Sequence, residues 1–435
     1  MISSLANISP AAALVEARAR YVAATPASHA AHLQAVAAMP GGNTRTVLFH
    51  LPYPLTMARG RGAQLWDVDG HEYIDLLGEY TAGLYGHSNP IIRGALDAAL
   101  DGGWNLGGHG LIEARLAQAI VDRFPSIELV RFTNSGTEAN LLAVATALAV
   151  TGRSEVMVFA GGYHGGVMYF GGGGIPINAP YRWLLAPYND APAATALALA
   201  HAATLGCILV EPMLGSGGCI PADPAFLQAL RDAADRVGAI LIFDEVMTSR
   251  MSSGGQQKRL GITPDMTTLG KYIGGGMSFG AFGGSTRIMQ RYDPRRPDAI
   301  PHAGTFNNNV LTMAAGHAGL TRIFTGEVAE ALFARGERLR AALDAIATGR
   351  MQWTGLGSML CVHFREGPIE RALPPDAVEA DLRELFFFDM RERGFYIARR
   401  GMIALSLEIT DADLDRFIVA VAEFVEVHRS LLVRA

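Results

Sequence analysis

Lysine is nearly absent from this chain. Of the 36 Lys and Arg residues among 435, only Lys258 and Lys271 are lysines, and Lys271 lies in the stretch TTLGKYIGGG, which carries no other charge. A compact amine in such surroundings can be desolvated, which populates its neutral form, and arginine offers no such form. A neutral amine condenses with an aldehyde to form a Schiff base. Lys271 is therefore predicted to be a covalent attachment site, with a solvated surface charge as the alternative.

The motif NSGTEAN lies where a strand should end and a helix begin. Ser135, Gly136 and Thr137 would present backbone N–H groups and two hydroxyls at the helix N-terminus, which suits a phosphate. Each charge–dipole contribution is modest, about 0.3 to 2 kcal/mol, so several groups must converge. The alternative is an ordinary Ser or Thr N-cap with Glu138 in the first turn.

Asp244 opens the segment DEVMTSR directly after the apolar run AILIF. Taken alone, it could be a salt-bridge partner, a metal ligand or the counter-charge of a cofactor. No HExxH, paired-carboxylate or His/Cys spacing supports a metal, so none is expected. An amine for an aldehyde, a phosphate cradle and a carboxylate for a ring nitrogen together predict a pyridoxal 5′-phosphate site with Lys271 and Asp244 as catalytic residues. A carboxylate–pyridinium pair contributes about 4 kcal/mol at 4 Å and an effective dielectric of 20.

Composition limits the other possibilities. Half of the residues are hydrophobic and 18% are charged, which is typical of a compact globule, and the net charge of -5 gives no electrostatic case for nucleic acid or an anionic membrane. The three cysteines have no metal-site spacing and are interpreted as buried, reduced thiols of a cytoplasmic protein. The N-terminus lacks a basic segment before its apolar run, so an ordinary helix is expected there rather than a secretory signal.

Short apolar runs alternate with helical patterns from about 128 to 285. Continuous apolar runs predict strands covered on both faces, hence a mostly parallel sheet flanked by helices. The predicted strands are 131–133, 156–159, 183–186, 207–210 and 239–243, and the predicted helices are 137–150, 191–203 and 223–237. Polar or glycine-rich segments follow the strands, namely NSGTE, AGGYHGG, EPMLGSGG and DEVMTSR. Because ligands bind at the carboxyl ends of such strands, the site is expected there.

Three regions are expected along the chain. Residues 1–75 form an opening segment that contains the hairpin-like AQLWDVDGHEYIDLL with a D-G turn, and this segment is assigned to a small domain. Residues 76–330 form the large, cofactor-binding domain. Residues 331–435 form the C-terminal part of the small domain, with short strands and long helices.

The assembled motifs resemble the class III aminotransferases among the fold-type I pyridoxal phosphate enzymes, in the branch of the glutamate-1-semialdehyde aminomutases. The resemblance covers nearly the whole chain, through MPGGNTR, LWDVDGHEYIDLL, NSGTEA, GGYHG, VEPM, LGKYIGGG and HAGTFNNNV. Within the branch, EYTAGLYGHS, DEVMTSR and GTFNNNV look closest to β-phenylalanine aminotransferases, whereas aminomutases usually carry a GTLSGNP-like stretch. The resemblance implies an α/β fold with a mostly parallel central sheet and a smaller α+β domain built from both termini.

The resemblance also implies roles for individual residues. Tyr163 would stack on the cofactor ring, with Val246 on its opposite face. Thr305 would reach the phosphate of the neighbouring subunit's cofactor, in an obligatory homodimer. His164, beside Tyr163, is interpreted as structural.

Two arginines are implied in substrate binding. Arg45 would bind the substrate carboxylate, and Arg400 would meet an acidic substrate group, with Tyr80 lining the same pocket. The relatives tend to have a proline before the second arginine, whereas this chain has Arg399. Which of the two neighbouring guanidinium groups faces the site is therefore left open.

The expected function is a ping-pong transaminase. It would move the amino group of a β-amino acid, aromatic and β-phenylalanine-like, to an α-keto acid such as 2-oxoglutarate or pyruvate, with Lys271 as general base and acid. The first alternative is an aminomutase, which needs no external acceptor. A nicotinamide-dependent dehydrogenase is disfavoured because GGYHGG, GSGGC and GLGSM all miss GxGxxG. A cofactor-binding transcription regulator would need a basic DNA-binding domain.

Overall fold

The computed structural model describes residues 9–433. Its strands are β1 (Met57–Arg61), β2 (Gln64–Asp67), β3 (Glu72–Asp75), β4 (Leu129–Thr133), β5 (Glu155–Phe159), β6 (Arg182–Ala186), β7 (Leu205–Val210), β8 (Met213–Leu214), β9 (Ile220–Pro221), β10 (Ile240–Asp244), β11 (Met266–Gly270), β12 (Gly280–Gly284), β13 (Met351–Leu356), β14 (Met359–Phe364), β15 (Phe395–Tyr396) and β16 (Met402–Ala404).

The helices vary widely in length. They are α1 (Pro10–Ala24), α2 (Pro26–Val36), α3 (Pro90–Asp101), α4 (Leu111–Val121), α5 (Gly136–Thr151), α6 (Ala191–Ala200), α7 (Pro224–Val237), α8 (Gly255–Leu260), α9 (Thr286–Met289), α10 (Val310–Ala318), α11 (Gly326–Ile346), α12 (Ala377–Glu392), α13 (Asp411–Val427) and α14 (Arg429–Leu432). Within residues 9–433, none of these helices is long and apolar enough to cross a membrane.

A seven-stranded sheet in the order β4-β12-β11-β10-β7-β5-β6 forms the centre of the large domain. Neighbouring strands from β11 to β6 are parallel, and β12 runs antiparallel to both β11 and β4. The expected mostly parallel sheet is thus confirmed. The carboxyl ends of its parallel strands meet at one edge, which brings the segments after them together.

Local sequence signals set the ends of the helices that cover this sheet. In α7, Asp223 caps the N-terminus by accepting a hydrogen bond from the backbone N–H of Ala225, and Pro224 occupies the first turn. Gly238 ends the same helix in a left-handed conformation with φ 69°. The apolar face of α7 is buried against the sheet at helical spacing, through Phe226, Leu227, Leu230, Ala233, Ala234 and Val237.

The two ends of the chain share one small sheet. Strands β2 and β3 form the predicted antiparallel hairpin, and Gly70 in its turn has φ 95°. Strand β15, from the C-terminal region, pairs in parallel with β3, and α1 packs against α12. A further sheet, β13-β14-β16, belongs to the C-terminal region alone. The smaller unit is therefore built from both ends of the chain, as expected, while the boundaries near 75 and 330 stay a prediction.

The predicted strands and helices of the large domain are present within a few residues of their expected bounds. Two strands of the central sheet were not predicted: β11 was missed, and so was β12. This strand reads GAFGG, and glycine has a low preference for strands because it loses much conformational freedom and offers no side chain for packing. Glycine is needed in this strand because another part of the backbone lies very close to it: a Cβ at Gly280 would lie 2.1 Å from the carbonyl oxygen of Ser135. The glycines let β12 run directly beneath the predicted phosphate cradle.

Aromatic packing dominates the core of the small domain. Phe386 on α12 is 0% exposed, and its ring makes edge-on contacts with Phe424 at 5.0 Å and with Trp353 at 6.1 Å between centroids. These rings join α12, α13 and β13. The packing therefore holds the segment that follows α12, which includes Arg400, in place.

We expect Phe386→Ala to lower the free energy of unfolding by about 3 to 5 kcal/mol, because it removes a fully buried ring and leaves a cavity. The matched control is Val419→Ala on α13, whose side chain is 56% exposed and whose loss should change stability by no more than about 0.5 kcal/mol. Guanidinium-induced unfolding measures both. Equal stabilities of the two variants would contradict the assigned core.

Candidate active site

The carboxyl edge of the central sheet holds a cavity of about 250 Å³. Residues that follow β4, β5, β7, β10 and β11 line it. The lining residues are Asn134, Ser135, Gly136, Thr137, Asn140, Tyr163, His164, Gly165, Glu211, Asp244, Val246, Met247, Lys271, Met277 and Phe279. Residues from all three predicted motifs therefore face one space.

Lys271 follows β11 directly and begins a short 3-10 turn, Lys271–Gly274. Its backbone is left-handed, with φ 54°, a conformation that a side chain other than glycine adopts at a cost in free energy. Part of its side chain faces the cavity, and among the described residues its Nζ has no hydrogen-bond partner. The fold thus presents a free amine to the cavity at a strained backbone position.

The glycines after Lys271 are required by close packing. A Cβ at Gly274 would lie 2.3 Å from Cβ of Phe279, and one at Gly275 would lie 2.4 Å from the carbonyl carbon of Ala315. Gly275 also has φ 67°, which favours glycine. The GGG run therefore lets the turn pack onto α10 and fixes the position of Lys271.

Burial lowers the pKa of the Lys271 amine. The carboxylates of Asp244 and Glu211 oppose this shift, whereas the guanidinium groups of Arg400 and Arg45 reinforce it. Desolvation is the largest of these effects, as predicted from the uncharged surroundings in the sequence. A larger fraction of the amine is consequently neutral at a given pH than for an exposed lysine.

The phosphate cradle begins α5 at the edge of the cavity. Ser135 is the N-cap of this helix, and its Oγ accepts a hydrogen bond from the backbone N–H of Glu138 at 3.2 Å. The ordinary capping role is therefore present in addition to any ligand role. Gly136 packs against Val246, because a Cβ there would lie 3.0 Å from that side chain. Ser135, Gly136 and Thr137 line the cavity at the N-terminus of the helix, where an anion is favoured.

Asp244, at the end of β10, is 5% exposed and heavily hydrogen-bonded. Its Oδ2 accepts hydrogen bonds from Nδ2 of Asn140 and Nδ1 of His164, each at 2.8 Å, and its Oδ1 accepts one from the backbone N–H of Val246 at 3.0 Å. Asn140 is itself held by Thr268, which donates to its Oδ1 at 2.7 Å. This network fixes the carboxylate at the wall of the cavity.

Glu211, after β7, is a second buried carboxyl group and was not assigned a role from the sequence. Its two oxygens accept hydrogen bonds from the backbone N–H groups of Tyr163 at 2.8 Å and Gly215 at 2.9 Å. Burial raises the pKa of Glu211 to about 7; the negative charge of Asp244 adds to this shift, while His164 and the two backbone hydrogen bonds oppose it. The group holds the Tyr163 loop against the cavity.

Tyr163 and Val246 approach the cavity from two segments. Tyr163 is 40% exposed, and its ring packs edge-on against Tyr169 with centroids 5.7 Å apart. Val246 is buried against the backbone of Gly136 and Gly270. An aromatic ring and a branched aliphatic side chain therefore line the same space, as a planar ligand ring between them would require.

Tyr80 brings the two predicted substrate arginines together. Its ring centroid lies 5.6 Å from Cζ of Arg45 and 4.8 Å from Cζ of Arg400. The Tyr80 hydroxyl donates to the carbonyl oxygen of Val47 at 3.3 Å, and burial raises its pKa. Neither arginine is among the residues that line the cavity, but both affect the Lys271 amine electrostatically.

The arginines differ in their ionic partners. Arg45 forms an ion pair with Glu79, whereas Arg400 forms none within residues 9–433. Nη2 of Arg400 lies 3.2 Å from Sδ of Met402, and its Nε is buried without a hydrogen-bond partner. Arg399 instead approaches Glu384 at 4.0 Å, with its side chain 49% exposed. Of the two neighbours, Arg400 is the one beside Tyr80.

Thr305 does not line the cavity of its own chain. It lies on an exposed turn whose next residue, Phe306, is 58% exposed. Asn307 in the same turn accepts a hydrogen bond from Nδ2 of Asn134 at 3.0 Å, which ties the turn to the start of the cradle. The role of Thr305 toward a neighbouring subunit stays a prediction.

Three residues at the cavity were missed or assigned only a structural role in the sequence analysis. His164 contacts Asp244, Asn140 fixes the same carboxylate, and Glu211 anchors the loop of Tyr163. For Glu211, the signal was a carboxyl group directly after the buried strand CILV, the same position that identified Asp244. Among the described residues, no group of three or more His, Cys, Asp or Glu side chains could hold a metal ion.

The residues fit pyridoxal phosphate by three independent features of the cavity. The first feature is the amine of Lys271, which is partly desolvated and has no hydrogen-bond partner among the described residues. The second is the helix N-terminus at 135–137 with its two hydroxyl groups, and the third is the buried carboxylate of Asp244. An aldehyde, a phosphate and a protonated ring nitrogen need these three groups. Asp244 also accepts three hydrogen bonds, which hold its carboxyl group at the wall of the cavity.

Comparison with known proteins agrees with this arrangement. The model of the class III aminotransferase family matches residues 49–172 and 177–425. A β-phenylalanine transaminase from Variovorax paradoxus is 53% identical over 426 residues, covering 97% of this chain and 98% of that protein. A glutamate-1-semialdehyde 2,1-aminomutase from Nitratidesulfovibrio vulgaris is 38% identical over 381 residues, covering 83% of this chain and 89% of the relative.

Solved structures give the same picture. The crystal structure of a β-phenylalanine aminotransferase from Variovorax paradoxus superposes with a TM-score of 0.96 at 52% identity, covering 98% of this chain and all of that one. A transaminase with pyridoxal phosphate bound superposes with a TM-score of 0.85 at 32% identity, covering 94% of this chain and 98% of that one. A glutamate-1-semialdehyde aminomutase from Pseudomonas aeruginosa, at 22% identity and a TM-score of 0.86, shares the fold over 96% of this chain and 98% of its own.

The raised pKa of Glu211 predicts a pH-dependent stability of the cofactor-free protein. An unfolded glutamate titrates near 4.3, so between about pH 4.5 and 7 the folded chain keeps a proton that the unfolded chain has lost. The stability that this proton provides is present at low pH and is lost as pH rises to about 7, by about 3 to 4 kcal/mol. Glu211→Gln should remove this dependence, because its side chain does not titrate.

Urea unfolding at pH 5, 6, 7 and 8 measures the effect as the difference between the two proteins at each pH. The control is Glu370→Gln, since Glu370 is exposed. A difference between wild type and Glu211→Gln that stays constant with pH would show that Glu211 does not titrate in this range.

Proposed function

Since the chain belongs to the class III aminotransferases and is a pyridoxal phosphate-dependent transaminase, we propose that its amino donor is a β-amino acid, aromatic and β-phenylalanine-like. The acceptor would be an α-keto acid such as 2-oxoglutarate or pyruvate. The observation that carries the proposal is that Arg45 and Arg400 both lie beside the ring of Tyr80. The positive charges of the two arginines also lower the pKa of Lys271. A carboxylate bound there would leave the β-amino group directed toward Nζ of Lys271.

We assign the cofactor contacts to the residues of the cavity. Lys271 would hold the aldehyde, Asp244 would face the ring nitrogen, and the 135–137 segment would hold the phosphate. Tyr163 and Val246 would cover the two faces of the ring. When bound, pyridoxal phosphate supplies an electron sink for the carbanion that forms at the donor carbon.

Lys271 is assigned the proton transfers. In a β-amino acid the amino group is on Cβ, so Nζ of Lys271 would remove the Cβ proton and act as the acid afterwards. Its lowered pKa suits this role, because a base must be available in its neutral form near the working pH. Lys258 has no such role, since its Nζ donates a hydrogen bond to Oγ of Ser253 at 2.7 Å on the surface.

Arg45 would bind the donor carboxylate as a bidentate fork. Its present partner, Glu79, is 56% exposed, so the ion pair is weak and a substrate carboxylate can compete for the guanidinium. Arg400 has no acidic partner in the described chain and would meet the second carboxylate of a dicarboxylic acceptor. Met247 and Tyr163 at the cavity, together with Tyr80, would provide apolar surface for an aromatic substituent.

A homodimer would complete the site, with Thr305 reaching the phosphate of the neighbouring subunit's cofactor. The support is exposed apolar surface on two segments, one near Phe306 and one near Leu111. The segments are joined by a hydrogen bond of 3.1 Å, which Nδ2 of Asn308 donates to the carboxylate of Glu113. Phe306 is 58% exposed and Leu111 is 80% exposed. Apolar side chains so exposed on one face are typical of a protein interface.

We also propose a cytoplasmic location, in keeping with three buried cysteines that are all free.

The second candidate is intramolecular amino transfer, favoured by the 38% identity to a glutamate-1-semialdehyde 2,1-aminomutase. The two activities differ in their need for an acceptor. A transaminase consumes donor only with an added keto acid and shows ping-pong kinetics, whereas an aminomutase converts its substrate alone. Assays with and without 2-oxoglutarate or pyruvate separate them.

The two lysines provide a direct test of the attachment site. We expect borohydride reduction of the protein with pyridoxal phosphate, followed by peptide mass spectrometry, to place the cofactor mass on Lys271 and not on Lys258, because only the first amine is desolvated in the cavity. Lys271→Ala should lower kcat by at least about 10²-fold, the typical contribution of positioned proton transfer. Native turnover by Lys271→Ala, or labelling of Lys258 alone, would overturn the assignment.

Arg45→Ala should lower kcat/KM for β-phenylalanine by about 10- to 100-fold and spare amines without a carboxylate, because a charge-assisted hydrogen bond contributes about 1.5 to 3 kcal/mol. The matched control is Arg399→Ala, whose guanidinium is directed to Glu384. Steady-state kinetics with both donor classes and both enantiomers measures the effect. An equal loss with simple amines would mean that Arg45 acts on the fold and not on the carboxylate.

A further inference from the structure

A buried polar cluster lies beside the Lys271 turn, and none of its three residues lines the cavity. Tyr272 follows Lys271 directly and is 0% exposed, and its ring centroid lies 6.3 Å from that of Tyr85. Arg250, from the DEVMTSR segment, is 1% exposed and lies close enough to both tyrosines to interact with them electrostatically. None of these three side chains has a role in the proposed transamination.

Arg250 is a buried cation without a counter-ion. Among residues 9–433, its only hydrogen-bond acceptor is the carbonyl oxygen of Leu405, reached by Nη2, and its Nε has no partner. No carboxylate of the described chain forms an ion pair with it or alters its pKa. Burial lowers the pKa of Arg250 to about 10, so the guanidinium stays protonated at neutral pH.

Three hydroxyl groups near this guanidinium are also unsatisfied. The hydroxyls of Tyr85 and Tyr272 are buried without hydrogen-bond partners. Oγ of Ser249 lies near the Tyr272 hydroxyl and lowers its pKa, but the two oxygens are outside hydrogen-bond geometry. Burial raises the pKa of both tyrosines, so both remain neutral O–H donors. Arg123 adds a second positive charge near the two phenols, whereas the buried carboxyl group of Glu245 acts on Tyr272 in the opposite sense.

Such a set of groups selects for a small anion. An unpaired charge in a protein interior is strongly destabilising, and buried hydroxyls normally have partners. Water molecules could satisfy the hydroxyls but would leave the positive charge uncompensated. A single monovalent anion would compensate it and accept hydrogen bonds from N–H and O–H donors together.

We propose that Arg250, Tyr85 and Tyr272 bind a buried monovalent inorganic anion, chloride under ordinary conditions, beside the turn that carries Lys271. The anion would accept hydrogen bonds from Nε of Arg250 and from the two phenolic hydroxyls. Since Tyr272 is the residue after Lys271, the bound anion holds the left-handed turn at Lys271 in place from the core side. The site is independent of the amino donor, so it stands whether or not the proposed substrate class is correct.

Chloride-dependent stability of the holoenzyme tests the proposal in solution. A ligand that binds only the folded protein raises Tm with its concentration, here by about 2 °C for each tenfold increase of chloride above the dissociation constant. Thermal unfolding is followed from 1 to 300 mM chloride, with gluconate added to keep the ionic strength constant. Arg250→Met should abolish the chloride dependence, and Arg287→Met, at a side chain 65% exposed, should retain it.

Bromide provides the structural readout, because it replaces chloride and scatters X-rays anomalously. We expect crystals grown in bromide to show an anomalous peak within hydrogen-bond distance of Nε of Arg250 and of the Tyr85 and Tyr272 hydroxyls. If Arg250→Met does not fold, Tyr85→Phe serves instead and should weaken the chloride dependence. A site that refines as water without an anomalous peak overturns the proposal, as does a bromide peak in a protein whose Tm is insensitive to chloride.

Discussion

Desolvation of one amine is the constraint on which this structure depends. Lys271 combines a left-handed backbone with a position among uncharged residues, and burial lowers its pKa. The strain and the desolvation both cost free energy, which the surrounding packing must offset. The glycines after Lys271 let the turn approach α10 and the side chain of Phe279 closely enough to do so. The chemistry of the site thus follows from how tightly the chain packs around one turn.

The charges around the amine are arranged on different sides of the cavity. Asp244 and Glu211 are buried carboxyl groups at the carboxyl edge of the sheet, held by backbone and side-chain hydrogen bonds. Arg45 comes from the opening segment and Arg400 from the C-terminal region, and both lie beside the ring of Tyr80. The carboxylates oppose loss of the Lys271 proton, whereas the arginines favour it. Both domains therefore influence the same proton.

Much of the fold could be predicted from periodicity and turn chemistry. The strands with continuous apolar runs, the hairpin around Gly70 and the long helices are local features, since each depends on residues close together in the chain. Strand β12 could not be predicted, because its glycines are explained by backbones that approach it from Ser135, Leu129 and Asp265, which are distant in the sequence or on neighbouring strands. The parallel pairing of β15 with β3 joins residues more than 300 positions apart and has no local signal.

The site divides in the same way. The sequence alone determined the types of groups that the chemistry needs, since a single lysine in an uncharged stretch, a Ser-Gly-Thr helix start and a carboxylate after a strand are visible in one dimension. Only the tertiary structure decided which residues support them. His164, Asn140 and Glu211 become neighbours of Asp244 or Tyr163 through strand order, and Arg400 rather than Arg399 lies beside Tyr80. The physical reason is that desolvation and hydrogen bonding depend on contacts across the fold, which residue type and spacing do not specify.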